Sequence, residues 1–137
     1  MRHILLALTL MTPFAVPVQA AEVVGSPEHT FILALNAKFS CELGATLEPA
    51  RTADELIRMS AELSDCKEQA KDTASAAFKV VMDATTDAET KTAIRKVYAA
   101  WLTAIGELRV GRESHGSAAE LAVDQARNEL FIIVELR

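Results

Sequence analysis

The chain has 137 residues, 50% of them hydrophobic and 24% charged, with a formal net charge of −5. An acidic chain with no basic block is a poor ligand for nucleic acid or an anionic membrane surface. With two cysteines and five glycines it has neither a zinc-type cysteine set nor a glycine-rich phosphate loop.

The first 20 residues have the order of a secretory leader. Arg2 supplies the positive charge, and an apolar run from Ile4 to Met11 follows. Pro13 and Pro17 break the run, and Val18-Gln19-Ala20 offers small residues where a signal peptidase cuts. The apolar run is about 8 residues, against the roughly 20 that span a bilayer. A cleaved leader is therefore expected over 1–20, rather than a membrane anchor, followed by one domain over 21–137. Loss of Arg2 would leave that domain more acidic by one charge.

Helix-start signals recur along the rest of the chain. Ser26-Pro27 places a capping serine before a proline, whose missing N–H costs nothing at that position. Thr52 with Glu55, Thr86 with Glu89, and Ser117 with Glu120 each have the capping-box spacing. Gly44 and Gly111 stand where helix stops are expected. The pattern predicts an all-α fold, a small antiparallel four-helix bundle with helices near 27–43, 52–83, 87–110 and 117–136. Leu130 to Val134 has strand propensity, but no turn precedes it, so it is read as helix.

Apolar spacing assigns the inward faces. The first helix turns Phe31, Ile32, Leu35, Phe39 and Leu43 inward. The second carries a seam of Leu56, Met59, Leu63, Cys66, Ala70, Thr73, Ala77 and Val80. The third gathers Ile94, Val97, Tyr98, Trp101, Leu102, Ala104, Ile105 and Leu108 on one arc, with Arg95, Lys96, Thr103 and Glu107 opposite. The fourth has a core stripe of Ala119, Ala122, Val123, Ala126, Leu130, Ile133 and Val134. Phe131, Ile132 and Leu136 point elsewhere, so its last turns are apolar nearly all round. Such a helix end needs cover. The overhang of the long second helix could supply it, or a partner protein or second copy bound at Phe131, Ile132 and Leu136.

In an exported chain two cysteines are read as one disulfide, Cys41 to Cys66. The loop it closes is worth roughly 3–4 kcal/mol on chain entropy. A tight hairpin would keep the two apart, because Cys66 lies about 14 residues into its helix, roughly 21 Å. Pairing therefore predicts that Gly44 to Arg51 runs back extended along the second helix. A bend at Ser64-Asp65 would serve instead, and pairing to another chain is the remaining outcome.

The residues favour few chemistries. Beyond the leader the histidines are His29 and His115, in separate segments and without metal-ligand spacing. No Cys-x-x-Cys-His haem-attachment motif is present. Met59 or Met82 could ligate haem with a histidine, but methionine on an apolar face is usually core filling. There is no nucleophile elbow, and Asp54, Glu55, Glu62 and Glu68 read as a solvated face, Asp54 pairing with Arg58. Tyr98 and Trp101 share a face and could line a pocket between helices. No cofactor is expected. The expectation is an exported, non-catalytic protein, periplasmic or secreted, that acts by protein–protein binding in an inhibitor, immunity or adaptor-like role. Its partner would be another protein or a second copy. The alternative is a bundle that carries a small ligand or haem near Tyr98 and Trp101.

Overall fold

The computed structural model describes residues 25–46, 50–112 and 115–136, so the expected leader over 1–20 lies outside the described residues. The fold is an all-α four-helix bundle, with five helical segments because the first arm is broken. These are α1 (Pro27–Leu35), α2 (Ala37–Thr46), α3 (Ala53–Ala84), α4 (Ala88–Glu107) and α5 (Ala118–Glu135). Leu130 to Val134 is helical, and no strand occurs among the described residues.

The starts form for local reasons. Ser26 Oγ accepts from the His29 N–H, Thr52 Oγ1 from Glu55, and Ser117 Oγ from Glu120. Each satisfies one N–H that the first helical turn leaves orphaned. The Glu55 and Glu120 carboxylates reach back one residue beyond the cap, to the N–H groups of Arg51 and Gly116. At α4 the expected cap is displaced: Asp87, not Thr86, accepts from the Thr90 N–H.

The arms alternate in direction. Glu28, at the start of α1, accepts a hydrogen bond from Thr85, just past the end of α3. At the other end, Gly111 beyond α4 donates to the Ala45 carbonyl in α2. Lys96 of α4 pairs with Glu129 of α5 at 2.8 Å. Trp101, Phe31, Ile94, Ile105, Leu108, Leu130, Val81 and Val97 fill the centre. Each such side chain is worth about 1.5–3 kcal/mol of burial. Phe31 meets Phe78 and Tyr98 at centroid distances of 6.1 and 6.3 Å, tying α1, α3 and α4 together.

Several expectations are corrected. Neither glycine ends its helix. Gly44 lies inside α2, and Gly111 (φ 69°) sits in a turn beyond α4, which stops at Glu107 rather than near 110. Two cations seal that stop, one from another helix and one local. Lys67 of α3 donates to the Gly106 and Leu108 carbonyls at 3.1 and 3.4 Å, and Arg109 donates to the same two. Burial, with Arg109 and Lys71 nearby, pushes the Lys67 ammonium below its ordinary pKa.

In α3 the inward face runs Leu63, Ala70, Ala74, Val81, while Thr73 and Val80 face out. A straight helix has about 3.6 residues per turn, so a 3.5-period seam drifts by roughly 20° per heptad and loses one residue over this length. The first two and a half turns of α3 are largely exposed, Leu56 included. They project at the end where α5 begins, so the overhang cannot cover the end of α5. On the surface, Arg58 pairs with Glu62 at 2.7 Å rather than with Asp54.

Among the described residues, one buried side-chain polar atom has no partner. Thr90 is fully buried, and its Oγ1 makes no hydrogen bond among the described residues. Thr90→Val keeps the shape and removes the orphaned hydroxyl. Urea unfolding is expected to show a gain of about 1 kcal/mol; a loss of that size would mean the hydroxyl is satisfied in solution.

Candidate functional site

The first arm and α5 lie side by side but leave a cleft between them. Its volume is about 290 Å³. The cleft exists because the arm breaks at Asn36. The Asn36 N–H bonds Leu33 and the Phe39 N–H bonds Asn36, both one residue tighter than α-helical spacing. That tightening rotates everything after Asn36 by about one residue. Phe39 and Leu43, expected inside, are exposed, Phe39 by 60%. Lys38, Cys41 and Ala45 take the inward positions, Lys38 with 8% exposure.

The break also releases the Leu35 carbonyl, which would otherwise accept from Phe39. Trp101 of α4 takes it up, its Nε1–H donating at 2.8 Å from a side chain only 1% exposed. A buried carbonyl without a donor is costly, so this bond fixes where the arm can break. Trp101 forms the floor of the cleft, with Leu35, Val123 and Phe39 as its apolar walls. Tyr98 does not line it. Its ring stacks on Phe78 at 4.4 Å and lies nearly parallel to Trp101 at 6.3 Å.

Charge is concentrated on the other wall. The Lys38 ammonium sits 3.2 Å from Glu42 and 3.3 Å from Glu120 of α5. Both partners are largely shielded, with side-chain exposures of 12% and 21%. Shielding strengthens such pairs relative to surface ones, but also makes an unpaired member costly. Asp124 and Arg127 continue the row along α5 at the rim. Glu120 thus caps its own helix, holds Lys38 and stands 3.6 Å from His115 Nδ1.

Cys41 and Cys66 form the disulfide, their Cα atoms 5.7 Å apart. The route differs from the expected one. The helix continues through Gly44 to Thr46, so α2 itself covers part of the distance along α3, and α3 runs through Ser64-Asp65 as one uninterrupted helix. Met59 lines a pocket of about 90 Å³ beside the disulfide, and Met82 packs against the core.

At the end of α5, Phe131 is half covered, while Ile132 and Leu136 are 58% and 82% exposed. Leu121 lies three helical turns before Ile132 on the same outer face and is also exposed. No group of three or more His, Cys, Asp and Glu side chains among the described residues could hold a metal ion. No helix among them is long and apolar enough to cross a membrane. No family model, no curated protein and no solved structure is significantly similar to this chain.

Proposed function

We propose that this chain is an exported, non-catalytic helical protein, periplasmic or secreted, that acts by binding another protein through the outer face of α5. The observation that carries the reading is the exposure of Ile132 and Leu136 on a helix whose opposite face is already committed to the core. Large aliphatic side chains in water at the end of a packed helix are stabilised by a partner surface. The disulfide supports an oxidising compartment. The role is that of an inhibitor, an immunity protein or an adaptor.

A photo-activated benzophenone side chain in place of Gln125, between Leu121 and Ile132 on that face, tests the reading in the producing cell. A discrete adduct is expected, lost when Ile132→Asp and Leu136→Asp are added. An adduct of twice the chain's mass identifies the partner as a second copy. The aspartates should change folding stability by no more than about 0.5 kcal/mol, as they replace exposed residues. Labelling no stronger than from a benzophenone at exposed Lys79 would contradict the proposal.

The cleft favours a second reading, a carrier of a small amphipathic ligand. Its floor is the chain's single tryptophan. Titration with anilinonaphthalene sulfonate should then quench Trp101 emission saturably in the folded protein. Emission that does not change would remove this reading.

A further inference from the structure

The cleft carries more charge than its own ion pairs consume. Of the charged side chains that line it, Lys38, Glu42 and Glu120 are joined through the Lys38 ammonium. The Asp124 carboxylate and the Arg127 guanidinium take no part in that cluster. They stand at the rim on one edge of α5, at the i,i+3 spacing that lets side chains meet. Yet neither side chain makes an ion pair with the other or with any described residue. Arg127 is half-buried, so its guanidinium has given up part of its water without gaining a partner. Beside the two lies apolar surface that also lacks cover. Phe39 forms one wall of the cleft and is 60% exposed.

These charges narrow what can fill the cleft. An organic anion would satisfy Arg127 but face three carboxylates, those of Glu42, Glu120 and Asp124. An organic cation would satisfy Asp124 but leave Arg127 unpaired. A molecule with both charges close together meets both, through charge-assisted hydrogen bonds. Glu42 and Glu120 already hold Lys38, which leaves Asp124 as the acceptor for an ammonium group. The volume of about 290 Å³ sits at the lower end of ligand cavities, so the occupant is small. We propose, on the reading of the cleft as a carrier's ligand site, that it binds a free α-amino acid with a large apolar side chain. The ammonium group sits on Asp124, the carboxylate on Arg127, and the side chain covers Phe39 above the Trp101 floor. Burying that side chain with Phe39 supplies the apolar part of the affinity.

The indole N–H of the chain's single tryptophan gives one NMR signal, which reports from the floor of the cleft. Free phenylalanine should shift it saturably, with a dissociation constant of about 1 mM or below. Phenylpropionate, which lacks the ammonium, and phenethylamine, which lacks the carboxylate, should each bind about tenfold or more weakly. Asp124→Asn should erase the preference over phenylpropionate, and Arg127→Gln the preference over phenethylamine. The analogue comparison uses the parent protein alone, so it decides even where a variant is unstable. Either analogue binding as tightly as phenylalanine overturns the proposal. So do preferences that survive in folded variants. Saturable quenching by anilinonaphthalene sulfonate without any shift by phenylalanine keeps the ligand site but overturns the amino acid as its occupant.

Discussion

Trp101→Ala is expected to lower the stability of the fold by about 3–5 kcal/mol, the largest effect of any single truncation in the core. The indole is 1% exposed at the point where α1, α4 and the cleft meet, so its removal leaves a cavity that flanking helices fill only in part. The hydrogen bond can be separated from the volume. Trp101→Phe keeps an aromatic ring but strands the Leu35 carbonyl that Trp101 Nε1 reaches at 2.8 Å. That variant should lose about 1–3 kcal/mol, the cost of a buried acceptor without a donor. Urea unfolding monitored by circular dichroism checks both. A Trp101→Ala midpoint within error of the parent would mean that the ring does not hold the helices together.

The second large effect is that of the disulfide. Cys41→Ser/Cys66→Ser should cost up to about 3–4 kcal/mol, the chain-entropy value for this loop. The sequence separation is 25 residues, long enough for closure to remove many unfolded conformations. Residual structure in the unfolded chain reduces that gain, so the entropy value is an upper bound. Thermal unfolding of the parent with and without dithiol should show the same displacement as the double variant. Superimposable transitions would show that the pair contributes nothing to the folded state.

What could be read from the residues alone follows from the range of the forces involved. Caps act within about three residues, so Ser26, Thr52 and Ser117 were legible as starts. Thr86 and Asp87 are adjacent and both can cap, and only the geometry of Thr90 decides between them. The stop of α4 was illegible because Lys67 arrives from 39 residues away. The face of α3 was legible from Leu63 to Ala70; Leu56 lies in an exposed first part, and beyond Ala70 the 3.6-residue period of the helix moves the face from Thr73 and Val80 to Ala74 and Val81.

In the first arm Phe31, Ile32 and Leu35 are buried as their spacing implies, and only the part beyond Asn36 departs, for a reason outside its own sequence. Its local pattern asks for Phe39 and Leu43 inside. Two long-range partners override it: Cys66 at a separation of 25 residues and Trp101 at 66. The same holds for the cleft. Trp101 could be named from its helix face, but Lys38 joins Glu120 across 82 residues. The exposed end of α5 was legible because Phe131, Ile132 and Leu136 fall off its core stripe, whatever the rest of the chain does.

One covalent link, Cys41 to Cys66, ties α2 to α3. A peptide map of the protein digested without reductant reads that link directly. The peptides holding Cys41 and Cys66 are expected to travel as one species, and to separate into two only after reduction. Alkylatable thiols at both positions, or either cysteine joined to another chain, would contradict it.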